Sequence, residues 1–172
     1  MNTMTMIETG THFRAARPAP VAVFQNSLTA SPRTMGQAIQ AAVDGIADGS
    51  LKPLSPDATS PLARTRAVLA LLADCYARQI YSSTEAASMA VRDPEFPWPW
   101  WEELPDARAL RRFRAENREA IQRCLVAALR FLVEQKILSG VVTKVNATQL
   151  AEEACRRIVM AAFADSMELD AE

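Results

Sequence analysis

The 172-residue sequence contains few of the residues from which catalytic and metal sites are usually built. Its single histidine, His12, lies in an N-terminal segment without sustained hydrophobic periodicity, so a Ser-His-Asp or Cys-His site would have no rigidly held base. Three cysteines (Cys75, Cys124 and Cys155) lie far apart, and this odd number without a CxxC pair indicates neither a disulfide framework nor a zinc site. The five glycines form neither a GxGxxG nor a GxxxxGK motif, so no phosphate-cradling loop is indicated.

Long apolar runs and an excess of charge of one sign are also missing. No apolar run is longer than Ala67 to Ala73, which is far shorter than the roughly 18–20 residues that span a bilayer. Nineteen Lys and Arg residues nearly balance 20 Asp and Glu residues, so no global basic field indicates nucleic acid. We expect a soluble, reduced, cytoplasmic protein without a membrane partner, cofactor or metal. An enzyme built on carboxylates is the less favoured alternative, with Glu85 and Asp93 as its least arbitrary pair.

Hydrophobic periodicity predicts an all-α protein, a compact bundle of about five helices. Residues 1–30 are interpreted as a flexible arm, residues 31–140 as a helical domain, and residues 141–172 as a C-terminal helix with an acidic, frayed tail. The predicted helices are Thr34 to Ala47, Pro61 to about Tyr81, Ser83 to Val91, Ala107 to Lys136, and a last helix from an Asn146 or Thr148 cap to about Met167.

The junction of the second and third predicted helices has the pattern of a helix-turn-helix corner. Ser82 and Glu85 fit the S-x-x-E capping box, so a new helix should start about three residues after the previous one ends. Any helical bundle has such corners, and the corner by itself is compatible with many functions.

A proline-rich segment, residues 93–106, interrupts the helical pattern and contains all three tryptophans. Its four prolines exclude a continuous helix. Trp98, Trp100 and Trp101 allow three interpretations: a loop that folds back to close the core, an exposed ring that stacks on a base or ligand, or an interface with another chain.

The predicted helix from Ala107 to Lys136 has one apolar face and one basic face. Eight cations against three acids leave this segment with a local net charge of +5. Cations in the first turns of a helix are disfavoured by its dipole, so a partner anion is one explanation for them. The other is a solvated charged face that reaches the acids before the helix. The cations are Arg108, Arg111, Arg112, Arg114, Arg118, Arg123, Arg130 and Lys136.

The roughly 78 residues that begin at Ser60 combine several short motifs. A long helix ends in Tyr76-Ala-Arg-Gln-Ile-Tyr-Ser-Ser, and a short helix and the acidic Asp93 follow. The next helix starts with Pro105-Asp-Ala-Arg-Ala-Leu-Arg-Arg-Phe-Arg. This combination resembles the N-terminal domain of bacterial insertion-sequence DDE transposases, whose turn reads Y-A-x-G-x-x-S-S. Gln79 stands where that family commonly has glycine, whereas the R-F-R element matches directly.

The resemblance implies a helical, DNA-associated domain that recognises the terminal sequence of a mobile element. It places Ser82, Ser83, Arg111, Arg112 and Arg114 near DNA, and the basic helix face adds Arg108 and Arg118. The ribonuclease-H-like catalytic domain of the family should follow this region, but only about 35 residues remain, too few for that fold. We therefore expect no enzyme but a recognition module for double-stranded DNA, either regulatory or a domesticated or relic transposase fragment.

The alternative interpretation is a protein-interaction module that forms a homodimer or a larger oligomer. It would use the tryptophan-containing loop and the last helix, and it is motivated by the apolar content of that loop and by an acidic tail able to mask the basic face. The two interpretations are compatible because helix-turn-helix proteins commonly bind as dimers. The candidate interface residues are Trp98, Trp100, Trp101, Ile158 and Phe163.

Overall fold

A computed structural model describes residues 32–54, 61–92, 105–135 and 146–170 of the chain. These residues form six α-helices and one short 3-10 turn, and they include no strand. The predicted all-α bundle is therefore confirmed, with six helices in place of about five. The predicted flexible arm and residues 93–104 of the proline-rich segment, with all three tryptophans, lie outside the described residues. The helices are α1 (Met35–Asp44), α2 (Pro61–Ala77), α3 (Ser83–Arg92), α4 (Ala107–Glu116), α5 (Arg118–Glu134) and α6 (Ala147–Leu169), and the 3-10 turn is Asp48–Ser50.

Helix α2 forms the centre of the bundle. Every residue from Val68 to Ala77 is buried, because α1, α3, α5 and α6 all pack against this helix. A helix that is apolar on nearly all sides is expected in such a position. Leu62, in the first turn of α2, is 40% exposed. None of the described helices has the length and apolar composition needed to cross a membrane.

Three helices begin at side-chain caps, and the last of them is Asn146, one of the two cap residues that the sequence allows. Side-chain oxygens of Thr34, Asp106 and Asn146 accept hydrogen bonds from backbone N–H groups in the first turns of α1, α4 and α6. Each such cap stabilises its helix by about 1 kcal/mol. Helix α1 ends at Asp44, earlier than predicted, and Ile46 still reaches the core from the turn that follows.

The predicted continuous helix from Ala107 to Lys136 is wrong in one respect: it is broken at Asn117. This residue has φ −121° and ψ 28° and is 4% exposed. Its amide accepts from the backbone N of Lys52 at 2.8 Å and donates to the Lys52 carbonyl at 3.1 Å. Asparagine competes well for backbone hydrogen bonds, and this tertiary contact outweighs helix continuity.

The corner between α2 and α3 is present, but α2 ends at Ala77 instead of near Tyr81. Gln79 has a φ of 67°, the left-handed conformation that glycine adopts most easily. Backbone N–H groups of Gln79 and Ile80 donate to carbonyls of the last turn of α2, which is the Schellman pattern of helix termination. Ser82 then accepts a hydrogen bond from the N–H of Glu85 at 3.2 Å, as its predicted capping role requires.

Candidate nucleic-acid interface

The C-terminal part of α6 supplies a buried carboxylate to the helix-turn-helix corner. Asp165 is 2% exposed and accepts hydrogen bonds from the backbone N and the Oγ of Ser83, at 2.8 and 2.7 Å. It also pairs with Arg114 at 2.6 Å and with Arg111 at 3.7 Å. The sequence-based interpretation of this region as a frayed tail is therefore wrong, since α6 continues to Leu169 and is held by these contacts.

A second carboxylate of α6 lies beside the first. The Ser82 hydroxyl donates to Glu168, Thr84 Oγ1 donates to the same carboxylate at 3.0 Å, and Arg111 Nη2 lies 3.6 Å from it. These contacts satisfy the start of α3, where a negative charge is favourable. Asp165 and Glu168 together therefore bind four of the seven residues that the sequence places near DNA: Ser82, Ser83, Arg111 and Arg114.

Arg114 is the most buried arginine of the predicted DNA-contacting set. It is 8% exposed, and its Nη1 also lies 3.4 Å from Ser83 Oγ and 3.5 Å from the hydroxyl of Tyr76. Burial raises the pKa of Tyr76 to about 12, although the adjacent guanidinium acts in the opposite direction. Burial lowers the pKa of Arg114, but Tyr76 and Asp165 outweigh it and raise that pKa above its ordinary value. Ser83 and Arg114, which the resemblance places near DNA, are therefore buried, and they form their hydrogen bonds and ion pair within the chain.

Another ionic cluster, which the sequence reasoning missed, joins α6 to the end of α2. Arg157 is 3% exposed, and its Nη1 donates to the carbonyls of Tyr76 and Ala77 at 3.0 and 2.8 Å. Its Nε donates to Glu153 at 2.7 Å, and Arg156 pairs with the same carboxylate. Hydrogen bonds from Arg156 and Arg157 lower the pKa of Glu153. A cation at the C-terminal carbonyls of a helix is favourable, and the i, i+4 spacing was the only sequence signal.

Two predicted arginines remain on the surface of α4. Arg108 and Arg112 are exposed and are separated by one helical turn. Arg112 donates through Nη2 to the carbonyl of Leu54 at 2.8 Å, which brings it to the segment that precedes α2. Lys52, also exposed, is held in that segment by Asn117. We call Lys52, Arg108 and Arg112 the basic cluster, and none of them forms an ion pair with an acid among the described residues.

Sequence reasoning missed Lys52 because nothing in its local sequence relates it to α4. The signal that could have found it is Asn117, a polar residue in an otherwise apolar helix position, whose amide needs a partner. Arg118, another predicted contact, is exposed but lies toward α6, with Nη2 at 3.4 Å from the Sγ of Cys155. The basic cluster thus contains Arg108 and Arg112 of the predicted set and one residue outside it.

The predicted interface residues differ in their positions. Ile158 is 3% exposed within the core of its own chain, so its assignment to an intermolecular interface is wrong, whereas Phe163 is 59% exposed. Trp98, Trp100 and Trp101 lie outside the described residues. In the part of the chain that the structure describes, no three His, Cys, Asp or Glu side chains are grouped so as to hold a metal ion.

Comparison with models of protein families, with curated proteins and with solved structures found no match for this chain. The likeness to the N-terminal domain of insertion-sequence transposases therefore stays a prediction that depends on the motifs from Ser60 onward. A functional assignment must come from the chemistry of the surfaces described above.

Proposed function

We propose that the chain is a helical DNA-binding domain that contacts the phosphates of a duplex through the basic cluster. The observation that carries this proposal is the exposure of Lys52, Arg108 and Arg112 on adjoining segments without an acidic partner among the described residues. The other guanidinium groups of α4 and α6 are neutralised by carboxylates of the same chain, so among the arginines of these two helices Arg108 and Arg112 are the ones available to an external polyanion.

The arrangement suits a phosphate backbone. Arg108 and Arg112 lie at the start of α4 and one turn later, so they add to the positive end of the helix dipole. Guanidinium groups bind phosphate oxygens through paired hydrogen bonds, and a neighbouring lysine adds a point charge. Such contacts position a domain on DNA and carry no sequence information by themselves. The proposed role is recognition without catalysis, in the cytoplasm, as a regulatory or relic transposase-like module.

Binding of the full chain to a labelled duplex, followed by fluorescence anisotropy, tests the proposal. If the basic cluster neutralises three phosphates, the logarithm of the binding constant should fall with the logarithm of salt concentration with a slope of about −2.7. Arg112→Ala should weaken binding several-fold and make this slope shallower by about 0.9. Absence of binding to any duplex at low salt would exclude DNA binding.

Arg130→Ala is the matched control for this experiment. Arg130 is exposed on α5, more than three turns beyond Arg118, and its removal changes the net charge by the same amount. It should leave both the affinity and the slope close to those of the unaltered chain. Equal losses for Arg112→Ala and Arg130→Ala would mean that only overall charge matters, which contradicts a defined contact at the basic cluster.

A further inference from the structure

The outward face of α6 is the most apolar exposed surface among the described residues. Seven large hydrophobic residues are exposed in the described part of the chain, and five of them belong to α6. Val159, Met160, Phe163 and Met167 are 50%, 40%, 59% and 56% exposed. Their spacing of three and four residues places them in one stripe along the helix, whereas Asp165 of the same helix points into the bundle. A continuous apolar stripe of this kind is typical of an interaction surface.

We propose that this stripe associates with the same stripe of a second copy of the chain, with the two α6 helices antiparallel and Phe163 of each near the twofold axis. The charges at the ends of the stripe support this partner. Arg156 lies seven residues before Phe163, and Asp170 lies seven residues after it, so all three lie on one helix face. In an antiparallel pair, Arg156 of each copy then lies opposite Asp170 of the other.

The apolar residues have the same symmetry. Val159 lies four residues before Phe163 and Met167 four residues after it, so the antiparallel pairing places each of them opposite the other. A parallel pairing would instead bring Arg156 against Arg156 and Asp170 against Asp170, which is repulsive. Arg156 binds Glu153 through Nε and Nη2. A guanidinium has five N–H donors, so the Nη1 of Arg156 can donate to a second carboxylate.

The size of the stripe indicates a weak dimer. Specific interfaces begin at about 1,000 Å² of total buried surface, and a pair of helices in contact over about four turns lies near that lower limit. A dissociation constant on the order of micromolar is therefore expected. This inference does not depend on DNA binding, because the residues of the stripe and those of the basic cluster are different.

Sedimentation velocity of the full chain, from below to above micromolar concentration, tests the association. The unaltered chain should change from monomer to dimer, and Phe163→Glu should raise the dissociation constant at least tenfold without altering the helical circular dichroism. Val91→Glu on α3 is the matched control, since Val91 is 67% exposed but lies outside the stripe, and it should leave the dimer unchanged. A concentration-independent monomer would overturn the proposal, as would a dimer that Phe163→Glu leaves intact.

Disulfide cross-linking tests the antiparallel orientation. In a chain with Cys155→Ser, Phe163→Cys should give a cross-linked dimer on mild oxidation, because the two positions meet at the axis. Met167→Cys should not, because its two copies would be offset by eight residues, about 12 Å along the helices. A disulfide needs Cβ atoms about 4 Å apart. Equally efficient cross-linking at both positions would indicate parallel helices and contradict the proposed pairing.

Discussion

At the scale of single residues, the carboxylate of Asp165 determines which arginines of α4 remain available to other molecules. It is fully enclosed, and it is bound by a backbone N–H, a hydroxyl and two guanidinium groups. Arg111, which is half-buried, and the buried Arg114 are therefore paired within the chain, while Arg108 and Arg112 stay at the surface. Removal of one partner from such a buried ionic group costs much more than the intact pair contributes, because the remaining charge loses its compensation.

Asp165→Asn should lower the free energy of unfolding by about 3 kcal/mol. The substitution keeps the size of the side chain but leaves Arg114, which is 8% exposed, without its counter-ion. Urea denaturation followed by circular dichroism measures the effect. Asp170→Asn, at the exposed end of the same helix, should change the stability by less than about 0.5 kcal/mol. A loss of similar size for both variants would show that the buried network is not the cause.

At the scale of elements, two helix ends are determined by different interactions, a local backbone turn after α2 and a tertiary contact after α4. The Schellman turn after α2 directs the chain into α3, although its left-handed position holds Gln79 and not glycine. A side chain in this conformation is strained, because its Cβ approaches the neighbouring carbonyl oxygen. The break at Asn117 has a different origin, because the side-chain amide of Asn117 forms two hydrogen bonds with the backbone of Lys52.

Gln79→Gly should therefore raise the free energy of unfolding by about 1 kcal/mol. Gln79 is exposed and its backbone hydrogen bonds do not need a side chain, so nothing else should be lost. Thermal or urea denaturation measures the gain. Gln135→Gly is the matched control, since Gln135 ends α5 with φ −80°, which any residue adopts. Glycine there should bring no gain, and stabilisation at both positions would contradict strain at Gln79.

At the scale of the whole described bundle, α6 joins its parts through charge. Its first half binds the C-terminal carbonyls of α2 through Arg157, and its second half binds the start of α3 and the arginines of α4 through Asp165 and Glu168. The inner side of the helix thus combines apolar core residues with buried ionic groups, and its outer side carries exposed apolar residues. The stability of the bundle should accordingly depend on the contacts that these α6 side chains make.

We expect the free energy of unfolding to fall at acidic pH because Glu153 becomes protonated. The pKa of Glu153 is lowered in the folded chain by hydrogen bonds from Arg156 and Arg157. The unfolded chain therefore binds a proton first, and the stabilisation present above the unfolded pKa is lost as the pH falls through the folded pKa. Urea denaturation at a series of pH values should show a shallower loss of stability for Glu153→Gln than for the unaltered chain. Glu152→Gln, exposed on the same helix, should retain the full dependence.

The sequence alone determined the helical class, the helix start at Ala107, the start of the last helix at a cap of Asn146 or Thr148, and the corner before α3. These features depend on side chains that interact within a few residues of each other, so their spacing predicts them. The sequence also shows that α4 is basic, but it does not show which of its arginines form ion pairs within the chain.

Only the tertiary structure decided which cations are neutralised and which apolar residues are buried. Arg114 meets Asp165, and Lys52 meets Asn117, across long stretches of chain whose spacing carries no periodic signal. Phe163 and Ile158 lie in one helix, yet the docking of α6 buries Ile158 and leaves Phe163 exposed. The physical reason is that pairing and burial depend on how the helices pack against each other. Helical periodicity shows only which residues share a face of one helix.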